Sequence, residues 1–309
     1  MRTIHRDPAG APINSQGSVV AIGAFDGVHR GHQALLDAMR VRAHELGLVS
    51  VALSFEPLPR QFFQGRQVVA RLSSPGERAV RLAEHADQVM LSRFDAALAH
   101  TAAEDWVRDV LVGRVNAREV WVGPGFRFGH ARRGDFAMLE ALGKQYGYTA
   151  RTVAPVLDNN ERISSSRIRA ALAGSAFDEA HRLLGRPYAM TGHVVRGLQL
   201  GRRLGYPTAN LRIPFGRAPL AGIFAVRVGG DGLPVHGGVA SLGTRPTVGG
   251  VEPLLEAHLF DYEGDLYGRR ISVEFVDKLR DEAKFGSLDA MVEQIHADAA
   301  QARRIVAAS

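Results

Sequence analysis

The sequence predicts an α/β chain in two parts: a parallel sheet covered on both faces by helices, then an antiparallel β-barrel with a terminal helix. Three observations carry this. In the first half, short apolar β-branched runs alternate with stretches of helical periodicity, the pattern of strands joined by crossover helices. Near Gly185 the composition shifts to period-two segments, glycines and turns, the pattern of antiparallel strands with one polar face. One long amphipathic stretch then follows. The expected division is residues 1–184 and 185–309.

The first strand and helix organise the rest. Val19-Val20-Ala21-Ile22 is an apolar run that breaks at Gly23 and Gly27, and a helix begins near Gly31. His32, Leu35, Leu36, Met39, Ala43 and Leu46 form its stripe. Leu48–Phe55 reads as a second buried strand, stopped by Glu56-Pro57-Leu58-Pro59. Ser74-Pro75-Gly76-Glu77 opens a helix with its stripe on Ala79, Val80, Leu82 and Ala83. Asp87–Leu91 and Glu119–Gly123 are strands, Thr101–Leu111 a helix with a Thr101/Glu104 capping box, Phe136–Tyr146 a helix, and Tyr148–Ala154 a last strand. In the second half Phe224–Val228 and Ile271–Phe275 alternate, and Leu288, Met291, Val292, Ile295 and Ala299 mark a terminal helix that covers the barrel.

Composition narrows the classes. Of 309 residues, 46% are hydrophobic and 23% charged, as in ordinary globular proteins. With no cysteine, disulfides and thiolate metal sites are excluded. Net charge is +6 without a basic block, which fits anionic small ligands such as nucleotides as well as it fits RNA and does not choose between them. Met1–Gly17 lacks the apolar core of a signal peptide, and no run approaches the roughly 18 apolar residues of a membrane span, so a cytoplasmic protein is expected.

Three stretches carry chemistry. In Gly23-Ala24-Phe25-Asp26-Gly27-Val28-His29-Arg30-Gly31-His32, two imidazoles stand where a helix begins. Helix-start amides lack intrahelical partners and the dipole favours an anion there; Gly23, Gly27 and Gly31 let it approach, and Phe25 and Asp26 lie in the same turn. His29 and His32 can donate to a phosphate whose charge grows as a bond breaks. Ile163-Ser164-Ser165-Ser166-Arg167-Ile168-Arg169 is a second anion site, made of serine caps, free amides and Arg167. Gly192, Gly197, Gly201 and Arg202 precede Tyr206-Pro207-Thr208-Ala209-Asn210, where glycines again admit phosphates. Thr208 and Asn210 put two neutral oxygens on one side of an extended segment, suited to Mg²⁺ already partly neutralised by phosphates. Glu256, opposite in face to Leu255 and Ala257, is the candidate general base. Beyond strand ends, Phe55 and Phe126-Arg127-Phe128 are placed to hold an aromatic ring.

These residues resemble a known group. G-x-F-D-G-V-H-x-G-H is similar to the nucleotidyltransferase signature of bacterial bifunctional riboflavin kinase/FMN adenylyltransferases, and Ile163–Arg169 to the I-S-S-T/S-x-I-R motif that closes on ATP phosphates. Gly201–Leu211 resembles the riboflavin kinase signature, and Ser241–Thr247, Glu256–Leu259, Asp265–Gly268 and Leu279–Phe285 resemble its later blocks. The resemblance implies a Rossmann-like nucleotidyltransferase domain followed by a β-barrel riboflavin kinase domain. It implies ATP-dependent phosphorylation of riboflavin to FMN and adenylylation of FMN to FAD, with Mg²⁺ as cofactor and no nucleic-acid or membrane partner. It places Mg-ATP on Thr208 and Asn210, the base on Glu256 and Arg280 near the flavin. Leu58, Gly125 and Ser241 depart from the usual residues, where the family commonly has histidine, an acid or amide, and asparagine. The first two raise the alternative of a kinase with a weakened or altered adenylyltransferase half; the positive charge raises that of a flavin- or RNA-binding regulator.

Overall fold

A computed structural model describes residues 3–6, 11–65, 69–197, 205–213, 217–247 and 250–308. The chain forms two compact units, one of residues 1–65 and 75–164, the other of 66–74 and 165–309.

In the first unit six strands form an all-parallel sheet in the order β1-β4-β3-β2-β5-β6. They are β1 Thr3–Arg6, β2 Ser18–Ile22, β3 Val49–Glu56, β4 Gln88–Arg93, β5 Ala117–Val122 and β6 Thr149–Thr152. Because β2 is buried on both sides, its side chains alternate between two cores. Val20 and Ile22 pack with Val51, Leu53, Trp106, Leu111, Val120 and Leu139. Val19 and Ala21 pack with Leu36, Met39, Leu82 and Val89. Helices α1 Arg30–Glu45 and α3 Pro75–His85 supply the second core, and α6 Phe136–Tyr146 the first. The order reverses between β2 and β5, so the crevice beyond their carboxyl ends is where open α/β sheets bind ligands.

The sequence reading differs here in particulars. β1 and the short helices α2 Pro59–Gln64 and α4 Ala96–His100 are absent from it. The expected helix over 101–111 is α5 Ala103–Trp106, continued by a π-helical turn Val107–Val112. Its N-cap is Ala102 with no side-chain bond, so there is no Thr101/Glu104 capping box; Thr101 Oγ1 instead donates to Ala97 O (2.9 Å) at the end of α4. Val80 is half exposed, and its expected place in the α3 stripe is taken by fully buried Arg78. In the second unit a helix α8 Phe177–Leu184, also absent from the reading, follows α7 Ser165–Ala173.

The second unit is a closed barrel, β10-β13-β12-β11-β14-β9, with every neighbouring pair antiparallel. Its strands are β9 Ala189–Val195, β10 Ala209–Arg212, β11 Gly222–Gly230, β12 Leu233–Thr247, β13 Gly250–Leu259 and β14 Arg270–Arg280. A two-stranded hairpin of β7 Leu157–Asp158 and β8 Glu161–Arg162 lies earlier in the chain. The terminal helix α9 Leu288–Ala308, capped by Ser287 Oγ (3.2 Å from Ala290 N), buries Ala299 and Ala302 against Ala225 and Phe260. Leu288, expected in its stripe, is exposed.

One polar cluster ties the first sheet to its helices. Glu119 on β5 accepts from Arg42 of α1 (3.1 Å), Arg151 of β6 (2.9 Å) and Trp121 Nε1 (3.2 Å). Burial alone would raise its pKa, but these donors outweigh burial and hold the carboxyl below the usual range. Such a group stabilises the fold above its unfolded pKa, and that stability is lost as pH falls through the folded value. Glu119→Gln, which leaves Arg42 and Arg151 facing a neutral amide, is therefore expected to cost about 1–2 kcal/mol at pH 7. Urea denaturation of both forms at pH 7 and near pH 4 checks this: the gap narrows at the lower pH.

Candidate active sites

The glycine-rich turn after β2 owes its shape to backbone in the left-handed region. Phe25 (φ 50°), Gly27 (φ 82°) and Val28 (φ 42°) all lie there. For a β-branched valine this is a strained position, the kind that survives where surrounding structure over-determines it. The Phe25 ring, 1% exposed, folds back over Gly23, where a Cβ would stand 2.9 Å from it. Its edge meets the His32 ring at 5.2 Å.

His29 is the N-cap of α1. The His32 N–H is shared between the His29 carbonyl (2.7 Å) and His29 Nδ1 (3.3 Å). Accepting there requires an unprotonated Nδ1, so Nε2 carries the ring proton and is the donor. The two imidazoles stack, centroids 3.6 Å apart and planes 17° from parallel. Gly31 makes this possible: a Cβ there would press on the His29 ring at 3.2 Å and lie 3.8 Å from the Ile163 carbonyl. The beginning of the I-S-S-S stretch thus lies beside the H-x-G-H glycine. Burial, then repulsion from His29 and Arg162, holds the His32 pKa well below the histidine range. His32 Nδ1 is buried without a hydrogen-bond partner among the described residues.

Four of the five expected flavin residues line one cavity of about 790 Å³: Phe55, Phe126, Arg127 and Phe128. Phe126 and Phe128 stack at 5.6 Å, and Phe128 and Phe55 each pack on Trp106. The volume is that of a site for a multi-ring ligand. Sequence reasoning missed Phe63, Phe94 and Trp106 in this wall; Phe63 and Phe94 fall outside the elements read from the sequence, and Trp106 inside the helix expected over 101–111. Gly125 adopts φ 74°. Among other residues, asparagine and aspartate tolerate that region best, so glycine here keeps the loop's backbone while removing a polar group. Leu58, 3% exposed, begins α2 without a side-chain cap. Asp26 is 2% exposed.

Arg78 is the residue the reading missed most plainly. It is fully buried on α3, and donates to Ala24 O (3.0 Å), Phe55 O (2.7 Å) and Glu56 Oε2 (2.8 Å). The available signal was a charge set inside an apolar stripe, next to Ala79 and four residues before Leu82.

In the second unit α7 begins at Ser165, directly after Ser164, and Arg167 pairs with Glu179 of α8 at 2.8 Å. The barrel's register gathers the other residues. Across β10, β13, β12, β11 and β14, Asn210, Glu256, Ser241, Ile223 and Arg280 stand directly opposite one another in turn. Directly opposed residues have Cβ atoms about 4.5–5.5 Å apart, so the expected base is flanked by Asn210 and by Ser241. Asn210 is 6% exposed, and Gly197 is required beside it, since a Cβ at 197 would lie 2.5 Å from its amide. Gly192 faces the Arg212 carbonyl, 2.9 Å from where a Cβ would stand. Thr208 lines a small cavity with Pro207, Asp265 and Tyr267. Arg280 forms an ion pair with Asp298 of α9 (2.7 Å) and lies over the Phe285 ring. Gly201 and Arg202 lie outside the described residues. Also missed were Tyr206, bonded to His296 of α9 (2.6 Å), and His258, whose Nδ1 donates to Pro207 O (2.9 Å) next to Thr208. Among the described residues, no cluster of three or more acidic or histidine side chains could hold a metal.

Because His32 stays neutral down to pH values below the ordinary 6.5 or so, chemistry that depends on its neutral ring is expected to stay level from pH 8 to below that value and to fall only further on the acid side. A pH profile of nucleotidyl transfer checks this.

Comparison with known proteins follows the same division. A family described as FAD synthetase matches residues 11–167, and one described as riboflavin kinase matches residues 184–306. A bifunctional riboflavin kinase/FMN adenylyltransferase of Pseudomonas fluorescens is 44% identical over 295 residues, 95% of this chain and 94% of that one. The Escherichia coli K12 protein of that name is 41% identical, over 93% and 92%. A solved structure from Streptococcus pneumoniae, titled a macrolide-efflux protein, is 30% identical with a TM-score of 0.77, covering 95% of this chain and 97% of that one. Among the described residues of this chain, no helix is long and apolar enough to cross a membrane. Two domain families matched in order and relatives aligned along nearly the whole length establish that the chain belongs to the bifunctional riboflavin kinase/FMN adenylyltransferase family.

Proposed function

We propose that the chain catalyses both reactions of its family, each with the residues described above. Riboflavin is phosphorylated by ATP to FMN, and FMN is adenylylated by a second ATP to FAD and pyrophosphate. The kinase reaction is assigned to residues 185–309 and the adenylyltransferase reaction to residues 1–184. The extents of the two family matches support that division.

For adenylylation, a phosphate oxygen of FMN attacks the α-phosphorus of ATP and pyrophosphate leaves. The nucleophile is ionised at neutral pH, so positioning and charge stabilisation suffice. The observation that carries the assignment is the stacked His29–His32 pair at a helix N-terminus, with a buried His32 nitrogen awaiting a partner. Gly23, Gly27 and Gly31 are assigned to the phosphate-binding turn, Gly23 and Gly31 by letting the Phe25 and His29 rings fold over them. The aromatic cavity of Phe55, Phe126 and Phe128 supports flavin binding, with Arg127 at its rim. A helix start with serines at Ser164, Ser165 and Ser166, and Arg167 within its first turn, supports a phosphate-binding role for that segment.

For phosphorylation, Glu256 accepts the proton of the ribityl 5′-hydroxyl as its oxygen attacks the γ-phosphorus. The cross-strand pairing of Glu256 with Asn210 supports this, since it sets the base beside the expected phosphate-binding residues. Thr208 and Asn210 would hold Mg²⁺ together with the ATP phosphates, and the ion would neutralise charge gathering on the transferred group. Their neutral oxygens fit an ion whose remaining ligands are phosphate and water. Arg280 is assigned to the flavin's surroundings through its place in the same row. A cytoplasmic setting is part of this reading, since the chain uses ATP and carries no cysteine.

His29→Ala and His32→Ala are each expected to slow FAD formation from supplied FMN by ~10²-fold or more while FMN formation persists. Full FAD synthesis in either variant would refute the role given to the pair. Glu256→Gln is expected to do the opposite, abolishing FMN formation and sparing FAD made from added FMN. Chromatographic separation of riboflavin, FMN and FAD reads all three.

A further inference from the structure

We propose that Arg78 is a positioning residue for adenylyl transfer: its buried guanidinium locks the histidine turn to the flavin-lining strand β3. The inference rests on the assignment of the His29–His32 turn to that reaction.

A guanidinium withdrawn from water is costly unless its donors are satisfied, and an aliphatic side chain would suit the α3 stripe of Ala79 and Leu82 at less cost. Arg78 is the largest fully buried side chain among the described residues, so its retention calls for a purpose other than filling space. What it binds indicates that purpose. Nη1 donates to the carbonyl of Ala24, between Gly23 and the left-handed Phe25. Nη2 donates to the carbonyl of Phe55, whose side chain lines the aromatic cavity, and to the carboxylate of Glu56. One rigid, planar group therefore fixes the end of β3 against the start of the histidine turn.

The Ala24 carbonyl receives a second donor, Ser54 Oγ at 3.1 Å. In a trans peptide the carbonyl and the following N–H point in opposite directions. Anchoring Ala24 O on Arg78 and Ser54 thus aims the Phe25 N–H away from them and fixes the peptide on which Phe25 takes its φ of 50°. Phe25 in turn supports the edge of His32. A loosened Ala24 peptide would shift His32 and Phe55 relative to each other, and a displacement of about 1 Å at a reacting centre can cost ~10²-fold in rate. Lysine cannot reproduce a planar fork that reaches three acceptors on two segments.

The test uses Arg78→Lys in the full-length protein, with FAD formation from supplied FMN and FMN formation from riboflavin measured in one preparation. The proposal expects kcat for FAD formation to fall at least 10-fold and KM for FMN to rise, with riboflavin phosphorylation unchanged. Wild-type kcat and KM for FAD formation, or a parallel loss of both activities, would overturn it. Should Arg78→Lys lose the cooperative unfolding of the α/β unit, Ser54→Ala decides, since it removes only the second donor to the same carbonyl. A lowered FAD kcat at unchanged melting temperature supports the proposal, and an unchanged kcat overturns it. His29→Ala, assayed alongside, separates the two failures. If it still makes FAD, the site assignment is wrong; if it does not while Arg78→Lys is normal, only the role of Arg78 falls.

Discussion

The α/β unit depends on one backbone constraint: the turn from Gly23 to His29 reverses direction through three residues with positive φ. That path sets the Phe25 ring over Gly23, brings Val28 into a strained conformation and delivers His29 as the cap of α1. Neither Gly23 nor Gly31 can be replaced freely, because each is covered by a ring, Phe25 over Gly23 and His29 over Gly31. The stacked imidazoles follow from this geometry. Burial, and then the His29 ring stacked 3.6 Å away, keep the His32 ring neutral, a hydrogen-bonding group rather than a cation.

The barrel reaches a comparable result by other means. Its residues of interest lie at positions 210, 241, 256 and 280, on four different strands. Antiparallel register joins them, by setting one residue from each successive strand at the same level. Glycine again permits the close approaches, Gly197 against the Asn210 amide and Gly192 against the neighbouring strand. The loop carrying Tyr206, Pro207 and Thr208 is held from outside the row, by His258 on β13 and by the bond of Tyr206 to His296 of α9. In both units, then, a side chain from another element fixes a loop peptide: the buried Arg78 at Ala24, the partly exposed His258 at Pro207.

How much of this was legible in the sequence varied with the range of the interaction. The H-x-G-H turn, the serine-lined start of α7 and the aromatic loop at 126–128 are contiguous, so their residues could be read together. Helix α6 has the bounds its pattern implies, because Asp135 caps it and Gly147 ends it in the left-handed region. The start of α5 was misread because Thr101 finds an acceptor in the preceding helix α4, so a local capping signature lost to a neighbouring element. Val80 and Leu288 look like stripe residues yet lie exposed, since helical period identifies a face only to within one position.

The amino-acid sequence by itself determined the fold class, the order of the two units and the turn chemistry of each binding segment, because these follow from periodicity, caps and glycines acting within a few residues. Tertiary structure alone decided that Arg78 would be buried against Ala24 and Phe55, that Phe63, Phe94 and Trp106 would share a cavity with Phe126, and that Ser241 would stand beside Glu256. Each of these depends on which strands become neighbours and in what register, and that is fixed by the collective packing of residues 15 to 63 positions apart in a way that no local pattern encodes.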